Sequence, residues 1–186
     1  MVRLAAPAAE PAGTGRLRRR RHRNGAIASE ALYSPCLRYR YRLSRVWADD
    51  LPRLLCVLLN PSRATEAGDD PTSGRCVKRA HALGFGGVVL CNLFAWRATR
   101  PEDLRGAIDP VGPANDRVLR TAARSRRTGL ILCGWGQHGN RGDRAGQVAG
   151  TLHGAGPPVC HLGLTRDGAP RHPLYVAMDR APIPWE

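Results

Sequence analysis

The chain has 186 residues, which corresponds to one domain of ordinary size plus, at most, an appendage. Hydrophobic residues make up 42% of it, which excludes wholesale disorder, and no apolar run approaches the ~18–20 residues of a membrane span. Lys plus Arg number 29 against 15 Asp plus Glu, leaving a formal charge of +14 and a pI near 11.0 that favours anionic partners.

Much of this charge is concentrated at the start. Residues 1–45 hold 11 Arg and 2 acidic residues, a net of +9, whereas residues 46–186 hold 18 basic and 13 acidic residues, a net of +5. The first 28 residues combine an Ala/Pro/Gly-rich stretch with the cluster Arg16–Arg23, a composition that buries little apolar surface. They are expected to form a disordered basic arm ahead of one domain over 29–186. Such an arm reads either as a phosphate grip without sequence preference or as a dispensable tail, including one produced by an upstream start. The basic cluster is not followed by an apolar stretch, so it does not read as a secretory signal and a cytoplasmic location is expected.

Leu37–Leu43 alternates strictly, with Leu37, Tyr39, Tyr41 and Leu43 on one face and three arginines on the other, predicting an antiparallel edge strand. Asp49-Asp50-Leu51-Pro52 makes the next turn. Four short runs, Leu54–Leu59, Val88–Asn92, Leu130–Cys133 and Val159–Leu162, are apolar throughout and suit a parallel sheet covered on both faces. Helices are predicted between them over Thr72–Leu83, from Thr99, over Pro113–Arg126 and over Arg144–Leu152, each beginning at a start signal or carrying helical apolar spacing. The order describes a single three-layer α/β/α domain with a mainly parallel central sheet. Six dispersed cysteines, without a C-x-x-C pair, read as buried core thiols, so neither a metal nor another cofactor is expected.

In open α/β sheets ligands bind beyond the carboxyl ends of the strands, and polar, glycine and aromatic residues collect there in this chain. The first core strand leaves through Asn60-Pro61-Ser62, where Asn60 is suited to orient a water and Ser62 to act as a nucleophile. No G-x-S-x-G elbow surrounds Ser62. Asp69 and Asp70 read either as a paired acid suited to base or Mg²⁺ work or as caps for the helix behind Pro71. Asn92 ends an apolar strand ahead of Phe94, Trp96 and Arg97. An amide beside aromatic faces suits a planar heterocycle, while the same aromatics equally suit a core. Gly134-Trp135-Gly136-Gln137-His138-Gly139 follows a late strand without the acid a dinucleotide site needs, leaving a phosphate cradle or a tight turn. Arg171-His172 lies in the last loop, where His172 could handle a proton or stabilise an anion.

The motifs Leu58-Leu59-Asn60-Pro61-Ser62, Asp70-Pro71-Thr72, Asn92-Leu93-Phe94-Ala95, Asp109-Pro110-Val111-Gly112-Pro113, Gly134-Trp135-Gly136 and Pro170-Arg171-His172-Pro173-Leu174-Tyr175 resemble the bacterial and phage family called domain of unknown function 1643, over about residues 29–177. More remotely, the pattern is similar to the uracil-DNA glycosylase superfamily, α/β proteins that flip a base into a pocket at the strand ends. That resemblance implies that Asn60-Pro61 positions the attacking water, Asn92 reads the base edge, and His172-Pro173 stabilises the departing base anion. Trp135-Gly136 matches a further element of the pattern. The first motif lacks the usual leading glycine, and the late loop reads His-Pro-Leu rather than His-Pro-Ser.

These readings converge on a nucleobase- or nucleotide-binding protein with N-glycosidic hydrolase chemistry. Asn60, His172 and Asp70 are the catalytic candidates, with Pro61, Ser62, Asn92, Phe94, Trp96, Arg97, Trp135, Gly136 and Arg171 around the substrate. Its partner would be a nucleotide or nucleic acid, with no membrane. Two alternatives stand beside it: a non-catalytic binder using the same pocket, and a serine hydrolase built on Ser62.

Overall fold

The computed structural model describes residues 15–139 and 142–186. One eight-stranded sheet runs through it in the order β1-β2-β3-β5-β4-β6-β7-β8. The strands are β1 (Arg18–Asn24), β2 (Ile27–Tyr33), β3 (Arg40–Val46), β4 (Arg53–Leu58), β5 (Gly87–Asn92), β6 (Thr128–Cys133), β7 (Val159–His161) and β8 (Ile183–Pro184). Three α-helices, α1 (Pro71–Ala82), α2 (Asn115–Ala123) and α3 (Arg144–His153), connect the parallel strands. Parallel pairing is confined to the neighbours β5-β4-β6-β7, and the remaining pairings are antiparallel, so the sheet as a whole is mixed.

The central strands are apolar throughout because both of their faces are covered. Leu55, Val57, Cys91, Ile131 and Cys133 pack on one side against Leu119 and Ala123 of α2 and Leu152 of α3. Leu54, Cys56, Leu58, Leu90 and Leu132 point the other way, towards Cys76 and Ala80 of α1. The period of two divides each strand between the two clusters and builds helix, sheet and helix layers. Five cysteines are buried within these layers and Cys36 is exposed. Burial pushes the Cys91 thiol up to about 12, so it packs as a small apolar group.

Helix α1 starts where its signal predicts. Asp70 Oδ1 accepts from Ser73 N–H at 2.8 Å, and Ser73 Oγ accepts in return from Asp70 N–H at 2.9 Å, a reciprocal capping box behind Pro71. The short helix expected from Thr99 is instead a 3-10 turn over Pro101–Gly106.

Two expectations are corrected at the N-terminal side. The alternating strand is β3, and it is interior, because β2 pairs along one edge of it and β5 along the other. The expected disordered arm contains a strand: Arg18–Asn24 pairs with β2 in register from Arg18↔Tyr33 to Asn24↔Ile27, closed by Gly25 at φ +55°. Residues 1–14 of that arm lie outside the described residues. Arginine-dense β1 holds its place without burying apolar surface of its own. Its backbone pairs with β2, and Glu30 accepts from Arg21 Nε at 3.0 Å while also meeting Arg42. Among the described residues no helix is long and apolar enough to cross a membrane.

Candidate functional site

A cavity of about 880 Å³ opens where β4 and β6 end, under the start of α1 and beside the last loop. Of the residues singled out in the sequence, Asn60, Ser62, Asp70, Trp135, Gly136, Arg171 and His172 line it together. The strand-end rule therefore selects one place from four separate segments of chain.

Asn60 is held by its amide nitrogen. Nδ2 donates to Ala98 O at 2.7 Å and to Pro61 O at 3.1 Å, while Ala98 N–H returns a bond to Pro61 O at 3.0 Å. Both partners are carbonyls, so the amide orientation is settled and the carbonyl oxygen Oδ1 is the acceptor it can offer a ligand or water. Pro61 contributes its backbone to this brace and does not line the cavity.

His172 is set by the turn that follows it. Its Nδ1 accepts from Leu174 N–H at 3.4 Å, and burial pushes the imidazole down to about 4 although the Asp70 carboxylate acts in the other direction. The ring is therefore neutral at pH 7 with its hydrogen on Nε2, a donor without formal charge. Helix α1 secures this loop from behind: Arg75 Nε donates to Pro173 O at 3.0 Å and Nη2 to Val176 O at 2.5 Å. One turn on, Arg79, only 2% exposed, donates to Ala177 O at 2.8 Å, Arg180 O at 2.7 Å and Met178 O at 3.3 Å.

The Gly-Trp-Gly segment resolves as a tight turn. Gly136 has φ +69°, where a side chain is strained, and its N–H donates to Pro170 O at 2.8 Å. Gly134 lies so close to the last loop that a Cβ there would stand 2.7 Å from Pro173 Cδ. Gly134→Ala is accordingly expected to displace the His172 loop and destabilise the fold by about 1–3 kcal/mol, as overpacking does. Urea unfolding checks this, and an unchanged midpoint would show that the loop gives way freely. Trp135 is buried, its ring tilted against Trp185 with centroids 5.5 Å apart, so it forms the floor.

Asp70 is an ionised cap. Burial alone would raise its carboxyl, but hydrogen bonds from Ser73 N–H and Ala64 N–H, with Arg40 nearby, hold it below the usual carboxylate value. It shares the cavity wall with three arginines, Arg63, Arg166 and Arg171, so among the described residues the wall carries more positive than negative charge. No histidine or carboxylate hydrogen-bonds Ser62 among the described residues, which leaves it without the base a serine nucleophile needs.

Asn92 and the aromatic pair do not join this cavity. The chain beyond β5 folds over the sheet, with Leu93 and Phe94 N–H donating to Leu58 O and Leu59 O at 2.8 and 3.0 Å. Phe94 enters the cluster beneath α2. Trp96 meets Tyr39 edge-on at 5.4 Å, and Arg97 lies over the Tyr33 ring at 5.5 Å. Asn92 is 2% exposed, its backbone carbonyl accepts from Asn115 Nδ2 at 3.0 Å, and its own Nδ2 has no partner among the described residues. Trp96 and Arg97 border a neighbouring groove instead, with Ser62 and Arg63 shared between groove and cavity.

Sequence reasoning placed Tyr175 in the last motif without giving it a role, and the ring is 84% exposed at the cavity and stands 5.8 Å from His172 ring to ring. It passed over Arg63 and Arg166. The signal for all three was position, since each lies in a loop that follows a strand end. A depression of about 330 Å³ beside α2 is a weaker candidate, because its charged groups are paired as Arg42–Glu30 and Arg53–Asp49. Among the described residues no three His, Cys, Asp or Glu side chains gather as metal ligands.

No curated protein and no solved structure matches the chain. A family model matches residues 40–174, from the start of β3 to the loop that carries His172. The chain belongs to that family, described as protein of unknown function (DUF1643).

Proposed function

We propose that the cavity binds a nucleobase carried on a phosphate-bearing ligand and hydrolyses its N-glycosidic bond. The observation that carries this reading is the pairing, in one cavity, of a fixed acceptor at Asn60 Oδ1 with a neutral donor at His172 Nε2. Asn60 Oδ1 accepts from a water and turns its lone pair towards the sugar C1′. As the water oxygen bonds to C1′, the C1′–N bond breaks and its electron pair leaves with the base. His172 Nε2–H donates to the departing anion, and the water proton passes to solvent. The ionised Asp70 places negative charge near the cationic character that develops on the sugar. Arg63, Arg166 and Arg171 suit the phosphate, and the exposed Tyr175 ring replaces Phe94 and Trp96 as the stacking surface. The resemblance to the uracil-DNA glycosylase superfamily enters through Asn60, Trp135 and His172 alone, with Asn92 outside the cavity.

The capping duty of Asp70 favours a second reading. Asp70, the one acid on the cavity wall among the described residues, has both oxygens engaged by backbone N–H groups, so a binder without turnover fits the same geometry. Single-turnover incubation with uracil-, hydroxymethyluracil- and hypoxanthine-containing DNA, scored for abasic sites, separates the two. Product with the native chain and none with Asn60→Ala is the expected result. Tight binding of bases or mononucleotides with no abasic product would establish the binder, and neither binding nor product would sink both.

A further inference from the structure

The groove that took in Trp96 and Arg97 has its own charge pattern. It encloses about 350 Å³, is lined by Arg38, Arg63 and Arg97 with no acid among the described residues, and runs into the main cavity through Ser62, Arg63, Ala98 and Thr99. At its far side the Tyr33 ring links it to β1, because Arg97 and Arg20 both lie over that ring, at 5.5 and 5.6 Å. The cationic surface thus continues from Arg166 and Arg171, past Arg63 and Arg38, to Arg20 on the hairpin.

The two sides of that hairpin differ. Arg18, Arg20 and His22 stand opposite Tyr33, Ala31 and Ser29 and share their side of the sheet, whereas Arg19 and Arg21 project to the other side. On that other side Glu30 meets Arg19, Arg21 and Arg42 at 3.7, 3.0 and 2.5 Å. On the groove side the nearest acid to Arg20 is Glu66, at 3.9 Å, and Glu66 already accepts from Tyr33 O–H at 2.9 Å. One Glu30 against three arginines and one Glu66 beside Arg20 leave positive charge in excess on both sides, and on the groove side that excess is continuous with Arg38, Arg63 and Arg97. β1 spans seven residues, about 20 Å, so this surface is longer than a single nucleotide can engage.

We infer that the groove and the inner face of β1 form a second binding site, which takes the phosphodiester backbone of a nucleic-acid strand entering the cavity. The ligand of the cavity is then one unit of a polymer rather than a free nucleotide. Arginine suits this role because its planar fork grips phosphate oxygens in pairs while its flat face stays on Tyr33. The inference rests on the nucleobase reading of the cavity only for what occupies the cavity end.

The test compares dUMP with a fluorescein-labelled 15-nucleotide single-stranded DNA in equilibrium binding across 50–200 mM salt. It uses the native chain and the double variant Arg20→Ala, Arg38→Ala, both changes at exposed positions. The strand is expected to bind at least 10-fold more tightly than dUMP at 50 mM salt. The double variant should lose about 10-fold for the strand, with the log–log salt slope shallower by about 1.4, and keep native affinity for dUMP. A strand that binds no tighter than dUMP, or that ignores both substitutions, overturns the second site and leaves the cavity reading intact. Strand binding that is tight and variant-sensitive while dUMP fails to bind supports the second site and removes the cavity reading. Displacement of the strand by poly-glutamate at equal charge concentration would reduce the groove to general anion attraction and overturn the proposal.

Discussion

Replacing His172 with alanine is expected to slow base release by about 10²–10³-fold in single turnover, the usual loss when one donor to a developing anion is removed. Because the neutral ring is what the fold supplies, the rate of the native chain should stay level from about pH 5 to pH 8. Burial holds the His172 imidazole at about 4, so its charge does not change within that range. A limb near pH 6.5 that vanishes in the variant would show instead that an imidazolium acts. Stability gives a second readout with a definite sign. The unfolded histidine titrates near 6.5 and the folded one near 4, so the unfolded chain takes up the proton first as the pH falls. The native chain should therefore be unaffected by this group above about pH 6.5 and lose stability progressively between 6.5 and 4, by on the order of 2–3 kcal/mol. His172→Gln should flatten that window in urea titrations. Asp70, whose folded carboxyl lies below its ordinary value, loses its contribution only at lower pH, so the two effects separate.

The central strands were legible because burial on both faces makes Leu54–Leu59 and Val88–Cys91 continuously apolar. Asp70-Pro71 was legible as a helix start for an equally local reason, a cap followed by a residue with fixed φ. The cavity followed from topology, since a strand's carboxyl end is visible in the sequence even when side-chain directions are not. Those directions account for the errors. Phe94 and Trp96 were read towards the ligand of the main cavity, but the backbone bonds of Phe94 to Leu59 and of Trp96 to Pro110 carry the chain across the sheet, so that Phe94 enters the interior and Trp96 borders the neighbouring groove. No local pattern distinguishes an aromatic that stacks on a base from one that packs edge-on against Tyr39. The hairpin failed for a different reason. Its strand β1 is exposed along its whole length, and the backbone of β2 together with Glu30, Glu66 and the Tyr33 ring holds it in place, whereas composition judges each segment alone. Arg75 and Arg79 were invisible as loop anchors because their partners are carbonyls about 100 residues away.

Arg79→Met should cost about 3 kcal/mol of unfolding free energy, the largest stability loss expected from a residue outside the cavity. Methionine keeps the length of the side chain and much of its packing, so the loss isolates the guanidinium. Three carbonyls, of Ala177, Met178 and Arg180, then lose a charged donor that brings them onto α1. Each such bond is worth roughly 1.5–3 kcal/mol, and water reaching this exposed segment returns part of the sum. Lysine at the same position retains the charge but not the fork and should fall between the two. Urea unfolding with an unchanged m-value is the measurement, and a loss below about 1 kcal/mol would mean that water serves these carbonyls as well as arginine does. The consequence for the site runs through the neighbouring anchor. Arg75 holds Pro173 O and Val176 O, which flank the turn whose Leu174 N–H keeps His172 Nδ1 unprotonated. If burial is what keeps the ring neutral, freeing the loop should raise the His172 pKa towards 6.5, more in Arg75→Met than in Arg79→Met. Imidazole proton shifts followed through an NMR titration would show that order. The reverse order would locate the restraint on His172 in the C-terminal segment beyond Val176 rather than in the turn itself.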